Sequence, residues 1–223
     1  MTPAAIAVLL FFVISGCVLT RGWDGRFGRF LVRRVVRLWP VYALCISAGY
    51  LMSGIEPSLL QFVWLPISSA TTGPAVDPPA WSLTVEAWAM LAMPLFVWVG
   101  RASGIRLVIV LLLCLIAGEF SGYALIAACF FVGAWLSRVE LRWAPLEGWL
   151  PQWLGRISYP LYICHNPLIS FTGLPLWVSV LLALGAADLL SRTVEKWSID
   201  ASRHVGRVGV VGAARVELAT PRV

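Results

Sequence analysis

The sequence predicts an all-α fold: a polytopic transmembrane helix bundle of about seven spans, with the N-terminus outside and the C-terminus cytoplasmic. Three observations predict it: an extreme composition, seven apolar runs, and a regular alternation of arginine between those runs. Apolar residues make up 60% of the 223, charged residues only 13%, and the mean hydropathy is +0.85. Soluble domains carry about 25% charged and about 45–50% apolar residues. A chain this apolar has too few polar groups to cover a water-facing surface, which excludes an ordinary soluble globule. The net charge of +6 is almost wholly arginine, since Lys196 is the only lysine. In a soluble protein that balance would suggest nucleic acid. Here the arginines sit between apolar runs, where orientation and lipid headgroups account for them and no nucleic-acid partner is expected.

The first run, 4–20, lies in MTPAAIAVLLFFVISGCVLTRGW. Ile14-Ser15-Gly16-Cys17 has the form of a lipoprotein cleavage box, so the stretch reads either as a removed signal or as a span. A signal peptide needs a positive region before its apolar core, and only Thr2 and Pro3 stand there. The run also continues through Leu19 into an arginine cluster that resists export, so a retained span is expected. The second run, 38–54, follows that cluster, and the third is 82–100. The fourth and fifth, 107–118 and 121–136, are short against the roughly 20 residues a bilayer requires. One long tilted helix is the rival reading. It would put Arg106 and Arg138 on opposite faces, and Gly118-Glu119-Phe120-Ser121-Gly122 looks like a turn, which favours two short helices. The sixth and seventh runs are 158–172 and 175–191.

The connections follow the positive-inside rule. Segment 21–37 holds Arg21, Arg26, Arg29, Arg33, Arg34 and Arg37, whereas 55–81 offers only Glu56 and Asp77. Arg101 and Arg106 flank the next connection, and Glu119 alone stands in the one after. Arg138, Arg142 and Arg156 mark 137–157, segment 173–174 is uncharged, and the chain is basic again from Arg192. Tryptophans such as Trp23, Trp39, Trp81, Trp143 and Trp153 fit interfacial belts. Residues 1–202 read as one transmembrane domain and 203–223 as a flexible cytoplasmic tail. Cys17, Cys45, Cys114, Cys129 and Cys164 all fall inside apolar runs, with no metal spacing and no disulfide framework, and read as small apolar residues.

Four stretches could carry chemistry. In GRFGRFLVRRVVRLWP, Arg26, Arg29, Arg33 and Arg37 are spaced 3, 4 and 4, one stripe of an amphipathic surface helix leading into a span at Pro40. Attraction to anionic lipid explains the stripe; so does a phosphate site for an anionic cofactor, because the arginine fork grips phosphate bidentately. In DPPAWSLTVEAW, Trp81 anchors the interface, Ser82 can cap the next helix, and Glu86 lies about one turn inside the membrane. An ionisable residue there is costly and is a functional candidate by default, although a snorkelling or structurally paired Glu is the plainer reading. In RISYPLYICHNPL, Tyr159, Tyr162 and His165 can share one helix side, and Pro160 and Pro167 should bend that helix. A buried, hydrogen-bonded His is the commoner role for His165. Fourth, Asp188 and Arg192 are spaced for an i,i+4 ion pair near a helix end, with Glu195 three residues later. No Gly-rich phosphate loop, HExxH or GxSxG elbow appears; Ser15 lacks the second elbow glycine.

Taken together, four blocks resemble the acyltransferase-3 family: Phe11-Phe12-Val13-Ile14-Ser15-Gly16; Arg33 to Tyr42; Trp81 to Glu86; and Ile157 to His165. Phe131-Val132-Gly133-Ala134 fits a weaker block. Any one is weak; all in order, spanning residues 11 to about 196, are strong. The resemblance implies a multi-pass enzyme of the bacterial inner (plasma) membrane. It would take an acyl group, often acetyl, from acyl-CoA as donor substrate, with no bound cofactor, and pass it to a hydroxyl of a carbohydrate or cell-surface glycan. It implies CoA phosphates at Arg33, Arg34 and Arg37 and a catalytic or positioning carboxylate at Glu86. Ser15, Trp81, Ser82, Tyr159 and His165 are secondary candidates within the matching blocks.

The chain also departs from the family pattern. The family carries a further span before Phe-Phe-Val-Ile-Ser-Gly, with an arginine and the histidine expected to act as general base; ten residues precede Phe11 here, none of them His or Arg. Glu195-Lys196-Trp197 stands where Glu-Arg-Pro is common. The expectation from sequence is therefore an impaired acyltransferase with little or no turnover as written, or one whose true start lies upstream. The alternative is a non-enzymatic membrane protein: a remnant, a partner subunit or a transporter-like protein.

Overall fold

In the computed structural model, which describes residues 3–56, 76–100, 104–118, 122–139 and 144–204, every regular element is helical. The elements are α1 (Pro3–Arg21), α2 (Phe27–Ser53), a 3-10 turn (Pro78–Ala80) leading into α3 (Trp81–Leu91), α4 (Met93–Gly100), α5 (Gly104–Gly118), α6 (Gly122–Leu136), a 3-10 turn (Ala144–Glu147), α7 (Trp149–Phe171) and α8 (Leu176–Leu190). A π segment, Ser191–Glu195, carries α8 onward without a break to residue 204. Each of the seven apolar runs is thus helical. By length and composition two helices among the described residues qualify as membrane spans, Phe27–Ser53 and Leu176–His204, or three if the bent pair Pro78–Leu91 and Met93–Gly100 is one span.

Three sequence expectations are corrected. The run 82–100 is not one straight helix: it breaks at Ala92, where its two parts meet at 68°. Pro94 is the cause, because it has no N–H to return to the carbonyl four residues earlier and its ring crowds that turn. The arginine stripe is not a separate surface helix: Arg29, Arg33 and Arg37 lie within α2, which runs on through Pro40, while Arg26 precedes it, its backbone N–H donating to Asp24 Oδ1 at 3.1 Å. Ser82 is no helix cap, since the turn at Pro78–Ala80 has already started the helix from Asp77. Two helices do replace the single long one between Gly104 and Leu136, and they pack on each other. The turn residues 119–121 lie outside the described residues, as does the tail from 205 onward.

The chain divides into two compact units. The first comprises 1–27 and 85–142. Its core is aromatic: Phe12 lies 5.3 Å from Phe130, and Phe96 stacks on Phe130 at 5.5 Å and meets Phe131 edge-on at 4.7 Å. α1 and α6 cross at glycines. A Cβ on Gly16 would fall 2.9 Å from the Phe130 Cα, and one on Gly133 would overlap the Val13 carbonyl. Glycine here permits backbone to touch backbone. Arg21 then closes the end of α6, donating to the carbonyls of Ser137 at 3.2 Å and Val139 at 2.8 Å.

The second unit comprises 28–84 and 143–223. Here side chains reach across to backbone. Tyr159 Oη donates to the Leu38 carbonyl of α2 at 2.7 Å, Ser198 Oγ to that of Arg37 at 2.9 Å, and Asn166 Nδ2 to that of Val76 at 3.2 Å. The buried apolar core runs through Val41, Ile46, Ile157, Ile163 and Ala183.

Candidate functional site

The polar chemistry of the second unit gathers at two poles of α7. At its N-terminal end lies an open cavity of about 580 Å³. Five cations line it: Arg37, Arg156, Arg192, Lys196 and Arg203. Two carboxylates accompany them, Glu195 and Asp200. Two of the cations are already engaged. Arg192 Nε pairs with Asp188 Oδ2 at 2.6 Å, and Asp188 Oδ1 also accepts from Trp153 Nε1 at 2.8 Å. Arg203 pairs with Asp200 at 3.3 Å. The i,i+4 pair expected from spacing is therefore present, with an indole donor that spacing could not show. Arg37, Arg156 and Lys196 carry no ion pair within the described residues, and Arg37 Nε is buried without a hydrogen-bond partner there. Buried Glu195 faces Arg37 electrostatically.

Three basic connections read from sequence thus converge: Arg37 from the first, Arg156 from the third, and Arg192, Lys196 and Arg203 from the last. The alternation of charge served there only to sort connections by side. It held no information that these particular residues share one hollow, because they meet only once α2, α7 and the α8 extension pack. Of the predicted phosphate ligands, Arg37 alone lines the cavity. Arg33 and Arg34 sit half-buried on α2, with the Arg34 guanidinium 5.6 Å from the Phe30 ring.

The opposite pole is built from hydroxyls, an imidazole and a buried carboxyl. Tyr162 Oη donates to the Pro79 carbonyl and lies 2.6 Å from Ser82 Oγ, so the turn before α3 is tied to α7. The His165 ring lies 6.0 Å from that of Tyr162. Its Nδ1 is 2.8 Å from the Tyr162 carbonyl, which can only accept, so Nδ1 is the donor of that bond. Tyr159, Tyr162 and His165 therefore do not act as one group: the first ties α2, the second ties the turn before α3, and the third bonds its own helix. Trp81 opens α3, half-buried. Asp77, beside this turn, is fully buried, and both its carboxylate oxygens lack hydrogen-bond partners among the described residues. Burial pushes its pKa up to about 8.

In the first unit, Glu86 is 9% exposed on α3 and engaged by neighbours, and Ser15 is buried in α1. A carboxylate so placed is held by its surroundings instead of snorkelling freely.

A sequence model of the acyltransferase-3 family, described as an acyltransferase domain, matches residues 2–150, well over half of the chain. Comparison with curated proteins and with solved structures gives no match. The matched stretch takes in the blocks at Phe11–Gly16, Arg33–Tyr42, Trp81–Glu86 and Phe131–Ala134 but stops short of Ile157–His165. With a family match of this extent over an apolar, all-helical chain, the protein belongs to the acyltransferase-3 family and is a membrane acyltransferase.

Proposed function

We propose that this protein moves an acyl group, acetyl in the simplest case, from acyl-CoA to a hydroxyl of a carbohydrate or cell-surface glycan, in the inner (plasma) membrane of a bacterium. The observation that carries the donor half is the placement of Arg37, a family-block arginine, in the wall of a cavity with a surplus of cations. A CoA thioester brings phosphates, and arginine meets phosphate with paired N–H donors. Arg33, one turn before Arg37 on α2, and Arg34 complete the basic block.

In the reaction the acceptor oxygen bonds to the acyl carbon, the carbon–sulfur bond breaks, and the hydroxyl proton passes to a base and finally to the departing thiolate. Charge on the thioester oxygen must be stabilised meanwhile. Glu86, buried on α3, is the proposed group that orients the acceptor or relays its proton.

The test uses the full chain in lipid nanodiscs with acetyl-CoA and measures CoA affinity and thiol release in the presence of a glycan acceptor. Arg33→Ala with Arg37→Ala is expected to weaken CoA binding about tenfold or more, as loss of charge-assisted contacts should. Unchanged affinity removes the donor assignment. Glu86→Gln is expected to lower thiol release while leaving CoA affinity in place.

A further inference from the structure

We propose that the cavity at the N-terminal end of α7 is a phosphate-recognition site in which Arg156 and Lys196, outside the family-matched stretch, are the principal anion ligands and Arg37 forms the floor. The chemical class it takes is a phosphomonoester or diphosphate carried on a small molecule. This rests on the donor half of the proposed function, with which it shares Arg37, and adds Arg156 and Lys196 to it.

The charge count is the first argument. Five cations line the hollow against Glu195, Asp200 and the neighbouring Asp188; Arg192 and Arg203 are ion-paired, Glu195 faces Arg37, Asp188 also acts on Arg156, and the cations remain in surplus. Cations drawn together from three separate segments repel one another, and a bound polyanion is what relieves that repulsion. The buried, unpartnered Arg37 Nε is a second and independent sign, since a buried donor without an acceptor is costly. Size is the third. About 580 Å³ falls in the range of small-molecule sites, more than a bare phosphate would fill. Hydroxyls of Ser158 and Ser191 also line the hollow. Each already donates to a backbone carbonyl of its own helix and so offers its oxygen lone pairs as acceptors for a ligand hydroxyl or for water.

The same chemistry could be supplied by a soluble phosphate compound or by the headgroup of an anionic lipid, and the experiment separates the two. The full chain is placed in nanodiscs of purely zwitterionic lipid, and binding of adenosine 3′,5′-bisphosphate and of inorganic pyrophosphate is measured by calorimetry. Saturable binding is expected, weakened about tenfold by Arg156→Gln with Lys196→Gln and unchanged by Arg138→Gln, an arginine outside the cavity. If neither probe binds but the protein co-purifies with phosphatidylglycerol, and the double variant loses that lipid, the site stands with a lipid headgroup as its source. The proposal is overturned if the double variant, folded with an unchanged melting temperature, binds probes and lipid as the parent does. It is equally overturned if the parent binds neither. Turnover of acetyl-CoA with an unaltered KM in the double variant would sink this site and leave the acyltransferase reading intact. Probe binding without any turnover would do the reverse.

Discussion

The two units are held together by different means. The first is a close-packed frame in which backbone lies on backbone: Gly16 against Phe130, Gly133 against Val13, and Gly100 with a Cβ position 3.0 Å from the Ala134 carbonyl. The second is stitched by side chains that reach foreign carbonyls, with room left over for a cavity. In a bilayer the hydrophobic effect gives helices no reason to prefer each other to lipid, so close approach and hydrogen bonding are the two available adhesives. This protein weights them differently: the first unit adds the Arg21 bonds to its close packing, and the second relies mainly on hydrogen bonds. The unit built on close approach cannot open without losing its contacts. The unit built on hydrogen bonds tolerates a hollow lined by charge.

Substitutions can break that contrast or sharpen it. The largest effect is expected from Gly133→Val, which drives a branched side chain into the Val13 backbone and should abolish folded, monodisperse protein, read by size-exclusion yield. Its counterpart in the second unit, Gly155→Ala, meets nothing within 4 Å and should raise stability by about 0.5–1 kcal/mol through helix propensity. Equal damage from both would erase the distinction between frame and hollow.

Next comes pH. Asp77 has a folded pKa raised to about 8 from an ordinary value near 4, so folding favours its protonated form. Its stabilising effect is complete below about pH 4 and is lost as pH climbs to about 8. Asp77→Asn should therefore raise the melting temperature by several degrees at pH 8, with the gap closing toward pH 4. A constant gap would mean that the carboxyl does not titrate in that window.

Tyr162→Phe removes the bonds to Pro79 and Ser82 and should cost about 1–2 kcal/mol in thermal or denaturant unfolding. Smallest of all, Asp200→Asn breaks an exposed pair with Arg203 and should shift stability by under about 0.5 kcal/mol while tightening phosphate binding slightly. A large loss there would show that the cavity rim is a structural network.

Much of this architecture could be read from residue order. Helical identity followed from apolar runs, and the break between Gly118 and Gly122 followed from run length and turn composition. The glycines of two family blocks could be quoted but not explained. Gly16 and Gly133 lie more than a hundred residues apart, and only the crossing of α1 and α6 shows that each makes room for the other helix's backbone. The break at Ala92 was legible in principle from Pro94, yet the apolar run around it masked the signal. Within the arginine block, spacing could place Arg33 and Arg37 on one stripe, but which of the three faces the hollow depends on how α2 turns toward α7 and the α8 extension.

α7 carries both poles of the second unit on one continuous rod, and Pro160 lies between them. Proline returns no hydrogen bond to the carbonyl four residues before it, which here is that of Arg156, the cavity cation. Arg156 and Asn166 are ten residues apart, roughly 15 Å along the axis. Pro167 leaves a second gap at the carbonyl of Ile163, so the backbone ladder is interrupted twice along the rod. The first gap falls beside Tyr159, whose bond to the Leu38 carbonyl ties α7 to α2 at the point where the helix's own ladder is interrupted.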